Sequence, residues 1–158
     1  MKVREIMTTD VITARRDTAV NDIAKLMSEQ DISGIPVVDD ANHVVGIVTE
    51  LDMIMRNTRL EMPAFVQVLD LARIPLERPG HYRDRLRHML GTHAADIMTE
   101  SVVTIGPEAE AEELAELMVK RRVNPIPVVQ DDVLVGIVSR ADLIRMMSRE
   151  LAEAEPGR

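Results

Sequence analysis

Apolar residues recur along this chain with two periods, and each period occurs twice. Val20, Ile23, Ala24 and Met27 fall at i, i+3, i+4 and i+7, the spacing that lines one face of a helix. Ala111, Leu114, Ala115 and Met118 repeat it. The runs IPVV at 35–38 and VVGIV at 44–48 are short, continuous and β-branched, as are IPVV at 126–129 and LVGIV at 134–138. They read as strands. DVIT at 10–13 reads as a further short strand. The stretches DDANH at 39–43 and QDD at 130–132 read as turns. Another helix follows Thr49, and one more follows Ser139. Asp17 and Thr18 stand where they can cap the first long helix, and Pro107 with Glu108 can open its counterpart. Pro36 and Pro127 suit the start of a strand, where no ladder N–H is needed. The pattern predicts two β-α-β-β-α units.

The units are copies of one another. Residues 6–40 align with 97–131 without a gap, and 13 of 35 positions are identical. After dropping one residue, 44–54 align with 134–144, and 6 of 11 are identical. Unrelated segments of ordinary composition would match at roughly one position in 15. The predicted organisation is a first repeat over 1–56, a connector over 57–93, a second repeat over 94–150 and a tail over 151–158. A unit of this size is marginal alone. Two copies that bury their sheets together are the economical solution, giving an α/β (α+β) fold arranged as a pseudo-two-fold pair. The connector is long for a link inside a domain, so it should carry structure of its own. Phe65, Val66 and Leu69 belong to an apolar stretch of ambiguous period. Tyr82, Leu86, Met89 and Leu90 fit a helix stripe with Arg78, Arg83, Arg85 and Arg87 as its basic outer face. It reads as a cover on the repeats or on another subunit, or as a docking surface for a regulated partner.

Composition narrows the function. The net charge is -8, which argues against a phosphate-backbone binder and hence against a nucleic-acid partner. With 1 Phe, 1 Tyr and no Trp, the core must be aliphatic, and there is little surface for stacking bases. The absence of cysteine excludes disulfides and thiolate chemistry. No apolar run reaches a membrane span, and the N-terminus does not open as a signal peptide. The expectation is a cytoplasmic protein without membrane insertion. No triad order, Gly-rich phosphate loop or paired-acid motif stands out, so an enzyme is not expected. His43, His81, His88 and His93 do not complete a metal set.

One stretch remains to be explained. GIVTELD at 46–52 returns as GIVSRAD at 136–142. Thr49 and Ser139 each end a strand and begin a helix, with Asp52 and Asp142 three residues on. That pattern is a helix cap. The same atoms also suit a ligand. A helix N-terminus attracts anions, a hydroxyl can bond phosphate, and a carboxylate can accept ribose hydroxyls, as in dinucleotide folds. The preceding glycine lets another backbone come close. Recurrence of both the hydroxyl and the aspartate keeps both readings open.

The whole pattern resembles a pair of CBS domains, or Bateman module. The resemblance is carried by IMT..VIT, the amphipathic helix, ISGIPVVD and GIVTELD, then by IMT..VVT, VNPIPVV and GIVSRAD. It implies a non-catalytic regulatory module that binds adenosine compounds in two clefts between the repeats. The ligands implied are AMP, ADP or ATP, with S-adenosylmethionine or NAD as alternatives; no cofactor is obligatory. In the first cleft, Thr49 would meet phosphate and Asp52 ribose, with Val103, Asn124, Pro125 and Ile126 framing adenine. In the second, Ser139 and Asp142 would face Ile12, Ser33, Gly34 and Ile35. The small Ser33-Gly34 backbone and Arg140 favour the second cleft. Pro125, which lacks an N–H, and Glu50 count against the first. Arg121 and Arg122 point towards the first cleft or end a solvated helix. The resemblance further implies a homodimer through the last helix of each repeat and a separate regulated protein. The competing expectation is an assembly module with empty clefts.

Overall fold

In each repeat the two β-branched runs close into an antiparallel hairpin. The computed structural model describes residues 1–57 and 91–154. The first repeat runs α1 (Val3–Ile6), α2 (Val20–Gln30), β1 (Gly34–Val38), β2 (Val44–Thr49) and α3 (Glu50–Asn57). The second runs α4 (Ala94–Ile97), α5 (Ala111–Arg121), β3 (Ile126–Gln130), β4 (Val133–Val138) and α6 (Arg140–Ala154). The structure expected for the connector, including the stripe from Tyr82 and the basic positions 78–87, lies outside the described residues, as do 155–158 of the tail. β3 and β4 are joined by Asp131 and Asp132 alone, both at positive φ (50° and 66°), a turn whose twist matches the strands it connects. The hairpins meet at an isolated bridge between His43 and Val133, which are counterpart positions and so lie on the pseudo-two-fold axis.

The run expected as a first strand makes one parallel bridge rather than a ladder. Ala14 donates to the Pro36 carbonyl and accepts from the Val38 N–H, both at 2.9 Å. Continuing that ladder towards Ile12 would require a donor on Pro36, which has none. In the second repeat Ile105 bonds Pro127 and Val129 in the same way, at 3.1 and 2.9 Å. Pro127 stops the ladder there before it reaches Val103. Pro36 is thus the third residue of β1, inside the strand, while Pro127 is second in β3, close to the expected start.

The short helices are exchanged between the repeats. Val3 of α1 packs in the core of the second repeat, with Leu114, Ile126, Val128 and Val138. Ala94, Ile97 and Met98 pack in the core of the first, with Ile23, Ile35, Val37 and Val48. Two bridges of the same swapped kind tie Thr8 to Ile137 and Thr99 to Ile47. The exchanged arms also cap the long helices. Val20 N–H donates to Thr92 O and Ala111 N–H to Met1 O, each at 2.9 Å. The caps expected from Asp17, Thr18, Pro107 and Glu108 are absent, since the helices begin later, after Ala19 and Glu110. Thr18 Oγ1 accepts the Arg15 N–H instead, at 2.8 Å. Outside the cores, Lys2 Nζ lies 2.5 Å from Glu110. That bond holds the Glu110 carboxyl below the usual carboxylate range. Such exposed pairs add little stability.

The glycines of the two VGIV runs seat these arms. A Cβ on Gly46 would lie 2.4 Å from Met98 Sδ, and one on Gly136 would lie 2.5 Å from Met7 Sδ. The tightest neighbour is thus a methionine side chain from the other repeat, and at Gly136 the backbone expected from the sequence is close as well, with Thr8 O 3.2 Å from such a Cβ. Neither glycine has positive φ, so the constraint is space and not backbone freedom. Overpacking of this kind costs about 1–3 kcal/mol. Gly46→Ala should lower the unfolding free energy by that amount in urea. Met98→Ala alone should also destabilise, but in the double mutant the glycine penalty should shrink, because its collision partner is gone. Strict additivity in that cycle would show that residues 46 and 98 do not touch.

Candidate functional site

At the end of β2 the chain turns into α3, and Thr49 becomes the residue before the first helical turn. Asp52 sits at the third helical position and reaches back. Its Oδ2 accepts the Thr49 N–H at 2.8 Å and the Thr49 hydroxyl at 3.1 Å. The second repeat makes the same two bonds. Asp142 Oδ2 accepts the Ser139 N–H and the Ser139 hydroxyl, both at 2.8 Å. Both carboxylates are buried, at 6% and 9% exposure. Half of a capping box is thus present. The hydroxyl does not cap the helix; it spends its single proton on the carboxylate. The pair therefore offers acceptors to anything that approaches.

Each pair opens on a cleft walled by both repeats. The first, of about 300 Å³, is lined by Thr49 and Asp52 on one side and by Val103, Asn124 and Pro125 on the other. The second, of about 530 Å³, is lined by Ser139, Arg140 and Asp142 facing Ile12, Ser33 and Gly34. Two residues expected in these walls have their side chains elsewhere. Ile35 and Ile126 are fully buried, one in each core, and are not among the residues that line the clefts. Arg122 lines the first cleft, and Arg121 is not among its lining residues.

The pseudo-axis runs between the clefts, and it blurs the asymmetry expected from sequence. Glu50 and Arg140 are counterparts, and both line both clefts. Gly34 and Pro125 are also counterparts and pack on each other. A Cβ on Gly34 would lie 2.6 Å from Pro125 Cδ. The glycine is therefore needed for this contact, beyond any approach to a ligand. Asn124 ties the junction together. Its Oδ1 accepts the first N–H of α6, from Arg140, at 2.8 Å, and its Nδ2 donates to Ser33 Oγ at 3.3 Å.

Charge separates the clefts in a way that the motif did not reveal. Among the described residues, the first is lined by Glu50, Asp52, Arg122 and Arg140, a balanced set. The second has Asp10, Asp31, Glu50 and Asp142 against Arg140 and Arg145. Asp31 and Arg122 are counterparts, each ending its long helix in the left-handed conformation (φ 50° and 53°). One position thus gives the clefts opposite charges. The larger cleft is the more acidic one, which reverses the expected electrostatic preference. Arg145 was findable, since it follows Asp142 by three residues on a helix, where side chains meet. It donates from Nη1 to Asp142 Oδ1 at 3.0 Å. Asp10 could be placed only through Ile12, two residues on, which the resemblance sets in this cleft; nothing local links it to Asp142.

The carboxylate and the hydroxyl should differ in their effect on stability. Asp142→Ala strands the Ser139 N–H and releases Arg145, for a loss of about 1–3 kcal/mol. Ser139→Ala removes one hydroxyl bond, for about 0.5–1.5 kcal/mol. Urea unfolding of the two variants checks the order. An equal or larger loss for Ser139→Ala would contradict the capping role of Asp142.

Comparison with known proteins places this geometry. The family model described as CBS domain matches twice, at residues 3–57 and 94–149. The chain is 31% identical over 157 residues to the uncharacterized protein MJ1426 of Methanocaldococcus jannaschii, covering 93% of this chain and 91% of that one. It spans less than half of three longer relatives from the same organism, at 32%, 23% and 44% of their lengths. Among solved structures, it is similar to the CBS domain of a CBS domain containing membrane protein from Sphaerobacter thermophilus. That match has 35% identity and a TM-score of 0.62, over 92% of this chain and 86% of that one. It also shares its fold with CBSX2, solved in complex with AMP, at 22% identity and a TM-score of 0.77, over 94% and 97% of the two chains.

Proposed function

The chain belongs to the CBS-domain family as a tandem pair, and from that premise we propose that it is a regulatory module sensing an adenosine-containing ligand of the AMP, ADP or ATP class. The carrying observation is the pair of buried carboxylates, each with its hydroxyl at a helix start, opening on a cleft walled by the other repeat. A carboxylate so placed accepts the hydroxyls of a ribose. Opposite it, Ile12 and Val103 lie where proline has ended the sheet ladder, which leaves backbone polar groups for an adenine edge. Aliphatic side chains supply the faces of the base, so few aromatics are needed. The acid-rich second cleft argues for a ligand with few phosphates. No group of three or more potential metal ligands occurs among the described residues, and none of their helices is long and apolar enough to cross a membrane.

The role is regulatory rather than catalytic, and the output passes to a separate protein. The module acts as a homodimer. Ile144, Met147 and Leu151 recur at i, i+3 and i+7 on α6 and are 55–69% exposed, and Leu51 and Ile54 are exposed on α3. Leu143 and Met146 turn inwards to the core. A second copy covering this apolar stripe buries it from water. The same stripe is what favours the reading as an assembly module with empty clefts.

Two measurements separate these readings. A ligand at 100-fold its dissociation constant should stabilise the folded protein by about 2.7 kcal/mol. A melting panel of adenine and guanine nucleotides, S-adenosylmethionine and NAD should show a rise for adenosine compounds that Asp142→Ala and Asp52→Ala diminish. No shift with any of them leaves the assembly reading. Light scattering should give about twice the chain mass of 17.7 kDa, and Ile144→Asp should reduce it to a single chain. A parent that scatters as a single chain at micromolar concentration removes the dimer from either reading.

A further inference from the structure

We propose that Arg145, rather than the Ser139 hydroxyl, is the residue by which the second cleft recognises a single 5′-phosphate. The inference rests on the reading of that cleft as an adenosine site and assigns the group that tells a nucleotide from a nucleoside. Phosphate needs donors. The one proton of Ser139 is already given to Asp142 Oδ2 at 2.8 Å, so its oxygen turns lone pairs to the cleft. The first N–H of α6, from Arg140, is held by Asn124 Oδ1 at 2.8 Å, which removes the foremost backbone donor of that helix end. Four carboxylates line the cleft among the described residues, so an anion is repelled unless a cation meets it.

Two arginines remain. Arg140 lines both clefts and stands on the pseudo-axis. Arg145 lines the second cleft and not the first. Its guanidinium donates one bond to Asp142 Oδ1, and its side chain is 61% exposed. Guanidinium has five N–H groups in a planar fork, so most of them stay available. The contact with Asp142 fixes the guanidinium beside the carboxylate that would hold the ribose, one sugar's reach from a 5′-phosphate. A bound ribose competes with Arg145 for Oδ1, and the displaced guanidinium then finds its partner in the phosphate. The counterpart position in the first repeat is Met55, so this device belongs to one cleft alone.

Calorimetry with adenosine and AMP tests the assignment on the full chain. The binding component that Asp142→Ala abolishes defines the second cleft. In Arg145→Met, which installs the residue of the first repeat, that component should weaken for AMP by roughly 10- to 150-fold, the worth of a charged hydrogen bond. Adenosine should bind as well as to the parent, or better, because Asp142 has lost its competitor. Arg145→Lys should recover part of the AMP affinity, and Ser139→Ala should weaken adenosine and AMP alike. Equal weakening of both ligands in Arg145→Met would make it a support for Asp142 and overturn the proposal. So would an unchanged AMP affinity, or a selective loss of AMP in Ser139→Ala. If Asp142→Ala abolishes no component, the adenosine reading of the cleft fails first and the proposal falls with it. A parent that binds adenosine and AMP equally keeps the cleft but refutes the phosphate role.

Discussion

A methionine resting on a glycine from the other repeat is the contact on which the rest depends. Met98 lies over Gly46 and Met7 over Gly136, each closer than a Cβ would permit. This contact places α4 in the first core and α1 in the second. Neither repeat completes its own core. A unit of about 50 residues is close to the size at which a hydrophobic core fails, and exchange lets each borrow a helix. Burying Ile97 fully contributes about 1.5–3 kcal/mol, and it does so for the repeat to which it does not belong in sequence. Duplication and stability are thus one fact: the copies need each other because each keeps part of its partner's interior.

The clefts are a by-product of that exchange. The chain between each arm and its long helix must cross from one core to the other. On the way it runs beside β1 or β3 for a single bridge, at Ala14 or Ile105. Pro36 and Pro127 end the pairing there by lacking a donor. Had those prolines been donors, the crossing chain could have zipped onto the sheet and closed the space above it. Instead Ile12 and Val103 stay off the ladder and become cleft walls. The single-bridge pairing and the open cleft therefore have one cause.

Most of the fold was legible in the sequence, for reasons that can be named. The helix faces built from Val20, Ile23 and Met27, and from Ala111, Leu114 and Met118, are buried as their spacing requires. The hairpins and turns follow from β-branched runs and from Asp and Asn at positive φ. The exchange was not legible. The motifs IMT and VGIV were visible as repeated blocks, but periodicity speaks only of faces within one segment, not of which core a face joins. Helix starts were misplaced for the same reason. Their first N–H groups are bonded to Thr92 and Met1, distant in sequence, so no local capping signal was needed. In the clefts, the hydroxyl–aspartate pairs were readable because both halves lie on one helix start. The charge difference was only partly so. Arg145 lies within a helical turn of Asp142, while Asp10 and Asp31 arrive from the other repeat.

The pseudo-symmetry also limits what the two clefts can share. Positions on the axis must serve both sides at once. Gly34 meets Pro125, His43 meets Val133, and Glu50 and Arg140 border both cavities. Of these, Glu50, Pro125 and Arg140 line both clefts, so a substitution there changes both together. Positions off the axis are free to diverge, and here they have. Asp31 stands against Arg122, Asp10 against Ser101, and Arg145 against Met55. Asp31 and Asp10 line the second cleft where Arg122 and Ser101 line the first, and Arg145 lines the second alone. Two copies bound to one architecture by the axis can therefore still present clefts of different charge, and the residues that set the difference lie away from it.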